Sequence, residues 1–289
     1  MATLRITPPT MFRHAGDLAG RFDSADPRSS GFNNERVDLD LRACDFLWPS
    51  AVLWCGVYAL LAGRRSAQCR LLVPENLGVS VYLKSIGLFS VLQGAGIEVD
   101  DLGVRVPRGQ QQHILPVTRF EREEEVEELA NQALDGLSRA GLGSANLYPL
   151  VSEVFAELAM NAVQHSESPV GSLGLIQFYE FQQGQRFVCV VADGGIGIRR
   201  SLERNPALRD EVPYDWVAIQ MALRERVSGT GVATRGIGLY GVAEDMRRSG
   251  RQLIIHSGIG MVETTEEMES RASRTRLFPG TLVYASIPN

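Results

Sequence analysis

The sequence contains one lysine, no pair of closely spaced cysteines and no excess of positive charge, and each of these absences argues against a class of protein. Lys84 is the only lysine, so a mechanism that needs an active-site lysine has one candidate. The formal net charge of -5 disfavours a general attraction to nucleic acid or to anionic lipid. No C-x-x-C pair and no histidine at metal-ligand spacing supports zinc, so we expect core thiols in a reducing cytosol at Cys44, Cys55, Cys69 and Cys189.

A secretion signal is also lacking, because residues 1–10 contain no long apolar run behind a basic start. One uncharged stretch, residues 46–63, is near the length of a membrane span. Prolines, glycines and polar residues interrupt it, so we predict a buried core helix at this place. The expected protein is cytoplasmic, with neither membrane nor nucleic acid as a partner.

The chain length fits two domains, and the hydrophobic content of 44% indicates a folded globular protein. Residues 1–35 show little apolar periodicity and are predicted to be a flexible or extended segment. Residues 36–115 alternate between strand and helix patterns, beginning with V-D-L-D-L and a helix that Gly63 is expected to end. A connector rich in Gly, Pro and Gln then leads into residues 116–289. The pattern predicts an α/β protein.

A predicted helix over residues 147–165 carries a polar row along the edge of its apolar stripe. Glu157, Asn161 and His165 lie four residues apart and therefore face the same place. A buried amide needs partners, and a metal ion with its water shell supplies them. The alternative is that neighbouring backbone groups satisfy Asn161.

Three glycine-containing motifs follow. An apolar strand ends at Asp193, whose carboxylate is able to accept a hydrogen bond from an exocyclic amine such as adenine N6, although D-G-G-I-G-I is also typical of a tight turn. R-G-I-G-L at 235–239 opens a helix, and helix N-termini favour phosphate; an ordinary glycine turn is the alternative. Gly280 and Thr281 precede a closing strand, where the threonine hydroxyl is able to contact a purine edge.

In this order and spacing the four motifs resemble those of the GHKL ATPases, the class that includes histidine kinases, anti-sigma-factor kinases and gyrase. E-L-A-M-N-A-V-Q-H at 157–165 is similar to the N box, 193–198 to the G1 box, 235–239 to the G2 box, and Gly280-Thr281 to the terminal G-T element. The resemblance covers most of residues 118–289. It implies an α/β-sandwich (Bergerat) domain that binds ATP and Mg²⁺.

The resemblance also implies a role for each matching residue. Asn161 takes the place of the magnesium ligand, Asp193 that of the adenine reader, and Glu157 that of the N-box carboxylate, a general base. Arg235 is expected to contact phosphate, and residues 199–234 to form a mobile lid over ATP. The other expected nucleotide contacts are Gly195, Gly197, Ile198, Gly236, Gly238, Leu239 and Thr281.

Two subgroups of the family fit less well. Gyrase-like members use a phosphate-sensing lysine from a following domain, whereas Lys84 lies far upstream. Histidine kinases carry a phosphoacceptor histidine on a long helix, whereas His14 and His113 lie in sequence rich in Gly, Pro and Gln. The anti-sigma serine kinases remain the better match.

Residues 36–115 resemble a STAS domain, the fold of anti-sigma-factor antagonists. The resemblance rests on V-D-L-D-L, C-D-F-L-W-P-S-A-V-L, C-R-L-L-V-P and Y-L-K-S-I-G-L. Ser50 falls where antagonists carry a phosphoacceptor hydroxyl, but Trp48 and Ala51 replace the expected acidic residue and glycine. A buried serine at a helix N-terminus is the alternative.

The predicted architecture is therefore an N-terminal STAS-like α/β domain followed by an α/β-sandwich GHKL domain. We expect a regulator that uses Mg-ATP for phosphoryl transfer or hydrolysis to control a protein partner, such as a sigma factor or an antagonist-like regulator, in cis or as a homodimer. Two alternatives stay open. One is a non-catalytic module that senses ATP, and the other is an ATP-driven dimerising clamp.

Overall fold

A computed structural model of the chain describes residues 3–8, 10–12, 26–29, 36–101, 103–107, 114–181, 184–224, 238–247, 250–264 and 271–289. The described residues form a mixed α/β protein with a four-stranded parallel sheet, a five-stranded antiparallel sheet and a small parallel pair of strands, Met11–Phe12 and Phe46–Leu47. The strands are β1 (Thr3–Ile6), β2 (Met11–Phe12), β3 (Arg36–Asp40), β4 (Phe46–Leu47), β5 (Gln68–Leu72), β6 (Glu98–Asp100), β7 (Leu115–Phe120), β8 (Ser172–Phe181), β9 (Gly184–Asp193), β10 (Gln252–Thr264) and β11 (Arg271–Pro288). The helices are α1 (Pro49–Arg65), α2 (Leu77–Ser85), α3 (Leu88–Gly94), α4 (Glu123–Ala140), α5 (Tyr148–His165), α6 (Gly197–Leu202), α7 (Asp215–Ala222) and α8 (Gly238–Met246).

The N-terminal sheet is parallel, with strand order β1-β3-β5-β6. V-D-L-D-L forms a strand as predicted. Val37 and Leu39 lie in the core, and Asp38, which is also buried, pairs with Arg36 and Arg70. Strand β1 lies inside the segment predicted to be flexible or extended. Its four residues are too few to stand out in the sequence, and they gain a place only by pairing with β3.

Helix α1 is buried on all sides because it lies between the two sheets. Every residue from Pro49 to Ala62 is buried. Its apolar side chains share one core with the parallel sheet and with β8, β9 and β11 of the antiparallel sheet. Gly56 permits the close approach, since a Cβ there would lie 2.6 Å from Leu173 Cδ1. The uncharged run is therefore a core helix, as predicted.

Two helix boundaries differ from the prediction. Helix α1 continues past Gly63 to Arg65, so the expected end at Gly63 is wrong. Gly63 does not have a positive φ, so it continues the helix instead of ending it. Gly87, at φ 89°, separates α2 from the unpredicted α3. Among the described helices, none by itself has the length and hydropathy of a membrane span; only α2 and α3 taken together do, and they are bent by 63°.

The C-terminal sheet is antiparallel, with strand order β10-β11-β9-β8-β7. Alternate residues of β9 point to different cores. Val188, Val190 and Ala192 join α1, whereas Phe187, Cys189 and Val191 join α4, α5 and α8. The predicted boundary near residue 115 thus separates the two sheets in sequence, but the sheets share a core across it.

Candidate functional site

A cavity of about 810 Å³, including space open to solvent, lies where α5, α6 and α8 meet the end of β9 and the adjacent part of β11. Six of the residues predicted from the sequence line it: Asn161, Asp193, Gly197, Ile198, Leu239 and Thr281. Gly195 lies in the glycine loop after Asp193 and Gly238 is the first residue of α8, whereas Arg235 and Gly236 lie outside the described residues.

Asp193 is a buried carboxylate at the end of β9, with 4% of its surface exposed. Its Oδ1 accepts hydrogen bonds from Gly195 N at 2.8 Å and from Thr281 N at 3.3 Å. Within the described part of the chain, its other oxygen, Oδ2, accepts none. Burial raises the pKa of Asp193 to about 7, opposed by the two backbone hydrogen bonds and by the charge of Arg28. A buried acceptor with spare capacity is therefore part of the cavity wall.

The glycine loop after Asp193 is tight as well as close to the cavity. A Cβ at Gly195 would overlap the carbonyl of Ser166, so only glycine fits there. Ile196 N donates to Ser166 O at 2.8 Å, and Gly197 adopts a φ of 79°. The motif is therefore both a tight turn and part of the cavity. The turn packs on the end of α5, and Gly197 and Ile198 line the cavity.

Ser257 on β10 completes this corner and was missed by sequence reasoning. Its hydroxyl accepts a hydrogen bond from Ile198 N at 2.9 Å, donates to Gly280 O at 3.1 Å, and lies 3.1 Å from Thr281 Oγ1. Ser257 is the strand partner of Thr281. The register of two long strands creates this contact, and no local motif announces it.

Asn161, from the polar row on α5, lines the cavity, whereas Glu157 is not among the residues that line it. Asn161 is half-buried, and its Nδ2 donates to the carbonyl of Glu157 at 2.7 Å, so a backbone partner does satisfy the amide nitrogen. Glu157 is exposed, and a Cβ at Gly238 would clash with its Oε2 and lie 3.4 Å from Asn161 Nδ2. The start of α8 therefore packs directly on this pair of residues. His165 also lines the cavity.

The described part of the segment expected to be a mobile lid contains the end of α6 and the whole of α7, joined by turns over residues 203–214. Helices α6 and α7 bury Leu202, Val212 and Ala218 against one another. Asp215 Oδ2 accepts a hydrogen bond from Ile259 N at 2.8 Å and so fastens α7 to β10. Residues 225–234 of the expected lid lie outside the described part.

Other side chains singled out in the sequence lie away from this chemistry. The Lys84 ammonium donates to Asp101 at 2.7 Å and to Val104 O at 2.6 Å. The four cysteines are buried thiols, and burial raises the pKa of Cys44, Cys69 and Cys189 to about 12. Ser50 is 7% exposed at the start of α1, which favours the buried-serine interpretation. Among the described residues, no group of three or more His, Cys, Asp or Glu is placed to hold a metal.

Comparison of the chain with models of known protein families and with curated proteins gives no match.

Proposed function

We propose that this cavity binds Mg-ATP and that the chain is an ATP-binding regulator of the GHKL type. The observation that carries the proposal is the carboxylate of Asp193, which is 4% exposed in the cavity wall and whose Oδ2 accepts from no described residue. A largely buried carboxylate oxygen favours a hydrogen-bond donor, and the exocyclic amine of adenine is a donor of the right kind.

The rest of this end of the cavity suits a purine. Leu158, Ile198 and Leu239 give it apolar walls, which favour the faces of an aromatic ring. Thr281 presents its hydroxyl beside Asp193, and Ser257 holds that hydroxyl in position. The Asp193 carboxylate and the Thr281 hydroxyl then determine which edge of the base the site recognises.

The opposite end suits phosphate and magnesium. The Nδ2 atom of Asn161 is engaged by the Glu157 carbonyl, which leaves the side-chain oxygen to act as the metal ligand. Magnesium would supply positive charge against the phosphates. Glu157 is exposed beside the start of α8, where its carboxylate would accept a proton from an attacking water or a substrate hydroxyl. In this proposal, transfer would go to water or to a protein partner such as an antagonist-like regulator.

A second candidate, the non-catalytic ATP sensor, is favoured by one contact between the two halves of the chain. A Cβ at Gly194 would lie 3.0 Å from Leu61 Cδ1 near the end of α1, and Arg64 of the same helix donates to Pro169 O at 2.8 Å. A nucleotide that shifts the glycine loop would therefore act on the STAS-like half directly. Partner binding would then follow ATP occupancy without turnover.

The first test is isothermal titration of Mg-ATP into the full chain and into Asn161→Ala. We expect the wild type to bind and the variant to lose the magnesium-dependent part of its affinity. Gln164→Ala is the matched control, because Gln164 is exposed on the same helix and bonds Glu123 instead. Titration with ITP, which lacks the exocyclic amine, should show binding weakened by about 10- to 100-fold. A folded wild type that binds neither nucleotide would overturn the proposal.

A further inference from the structure

Residues 26–29, from the N-terminal half of the chain, lie against the glycine loop of the cavity. Arg28 Nη1 donates to the carbonyl of Gly195 at 3.0 Å across 167 residues of sequence. The other side of the same guanidinium is held by Asp26, with Nε at 3.2 Å from Oδ1 and Nη2 at 3.3 Å from Oδ2. Because Asp26 holds the guanidinium through two hydrogen bonds, the remaining donor, Nη1, points in a fixed direction.

This short segment is itself fastened to the fold. Pro27 is buried, and Ser29 O accepts a hydrogen bond from Arg65 Nη2 at 3.1 Å, at the end of α1. The backbone N–H of Arg28 adds a bond to Asp26 Oδ1 at 2.9 Å. Only 26% of the Arg28 side chain is exposed. The arginine is therefore braced from both sides before it reaches the loop.

The residue that Arg28 contacts is the one that positions the buried carboxylate. Gly195 N donates to Asp193 Oδ1 at 2.8 Å, while Gly195 O accepts from Arg28. A single glycine thus connects the guanidinium to the carboxylate through its own backbone. The loop has no side chain of its own at residues 194, 195 and 197 with which to brace this shape.

We propose that Arg28 is a positioning residue of the nucleotide site, which holds the glycine loop and, through Gly195, the Asp193 carboxylate that accepts a hydrogen bond from the base. This inference rests on the proposed function, and it makes the N-terminal segment part of the site. Two effects support it. The hydrogen bond fixes the Gly195 carbonyl, and the positive charge lowers the pKa of Asp193 against the effect of burial.

The charged groups around Asp193 are few among the described residues. Arg28 approaches from the N-terminal segment and carries its partner Asp26, and His165 of α5 lines the same cavity. Replacement of Arg28 by alanine removes both the hydrogen bond and the charge. Replacement by lysine keeps the charge but loses the planar fork that Asp26 and Gly195 share. The pair of variants therefore separates the two effects.

The experiment compares wild type, Arg28→Ala, Arg28→Lys and Arg139→Ala in the full chain. Arg139 is the matched control, because it is exposed and its Nε bonds a carbonyl of its own helix, Asp135 O. Adenosine affinity is measured by titration from pH 6 to 8. Hydrogen exchange of the amides of Gly195, Ile196 and Ile198 is measured without ligand, since these three N–H groups bond the loop to its surroundings.

We expect Arg28→Ala to bind adenosine about tenfold more weakly and to exchange these amides about tenfold faster, with the binding midpoint moved to higher pH. Arg28→Lys should keep the wild-type midpoint while its loop still exchanges faster. Arg139→Ala should match wild type in every measurement. These results together would not arise from a general loss of stability, which would speed exchange throughout the sheet.

Wild-type affinity and wild-type loop exchange in Arg28→Ala would overturn the role of Arg28 and leave the proposed function intact. Absence of adenosine-nucleotide binding in the wild type would remove the proposed function, and with it the assignment of Arg28 to a nucleotide site. In that case the exchange measurement would still decide whether Arg28 holds the loop.

Discussion

Asp193 and Thr281 are strand partners, and the backbone N–H of Thr281 donates to the carboxylate of Asp193 at 3.3 Å. Gly280 makes the approach possible, since it adopts a φ of 141° and a Cβ there would overlap the Asp193 carbonyl. Two short motifs separated by 88 residues are therefore joined where the end of β9 pairs with the middle of β11. A carboxylate held in this way costs folding free energy unless a ligand uses it.

Asp193→Asn should separate binding from stability. We expect ATP affinity to fall by about 10- to 100-fold, because the charged acceptor is lost. The unfolding free energy of the ligand-free variant at pH 8 should equal or exceed that of wild type, since a buried carboxylate no longer has to be ionised. Titration and chemical denaturation check the two parts. A variant that loses stability while keeping affinity would show that Asp193 is structural.

Binding of adenosine should depend on pH around neutrality. The pKa of Asp193 is raised to about 7, so the ionised acceptor is present above that pH and lost below it. Affinity should fall by up to about tenfold per pH unit below the pKa. The same shift predicts that this group's contribution to stability declines as pH rises from about 4 to about 7, because only the folded state holds its proton there. Titrations from pH 6 to 8 on wild type and Asp193→Asn check this, and a pH-independent wild type would contradict it.

Glu157→Gln should reduce turnover without loss of binding. Removal of a general base lowers rates by about 10²- to 10⁴-fold, whereas the amide keeps the size of the side chain. Phosphate release and transfer to candidate partner proteins are measured beside Kd. Glu153→Gln, one turn earlier on the same helix and also exposed, is the control. Equal turnover in Glu157→Gln and wild type would remove Glu157 from catalysis, and a wild type that binds ATP without turnover would favour the sensor.

Gly56→Ala should destabilise the protein through the contact between α1 and β8. The added methyl group would lie 2.6 Å from Leu173 Cδ1 and 3.3 Å from Leu88 Cδ1, and overpacking of this kind costs about 1–3 kcal/mol. Gly94→Ala is the control, because no atom lies within 4 Å of the corresponding Cβ. Urea denaturation should show lowered stability for the first variant and unchanged or slightly raised stability for the second. Equal stability of the two would mean that the sheets do not meet α1 as closely as described.

The sequence was informative where the signal is local. Helical spacing located α5 and its polar row, and the strand ending at Asp193 follows from a continuous apolar run. The uncharged run predicted a buried helix because α1 has no polar face to give to solvent. Six of the residues predicted from these local signals line one cavity.

Long-range features were beyond the reach of local patterns. Strand β1 is ordered by its pairing with β3, and Ser257 enters the site through the register of β10 with β11. Arg28 lies in the stretch predicted to be flexible or extended, and it contacts Gly195, which is 167 residues away along the chain. The end of α1 was misplaced because glycine often ends a helix, whereas Gly63 does not adopt the positive φ of a helix cap and α1 continues to Arg65.

The burial of α1 between two sheets affects how the two halves of the chain evolve and whether they can be expressed separately. A fragment starting at residue 116 would expose to water the sheet face that holds Leu173, Leu175 and Val190, and a fragment ending there would leave the opposite side of α1 bare. Such apolar surfaces drive aggregation. The two halves therefore cannot be exchanged or expressed as separate modules, and substitutions on either side of α1 are expected to evolve together.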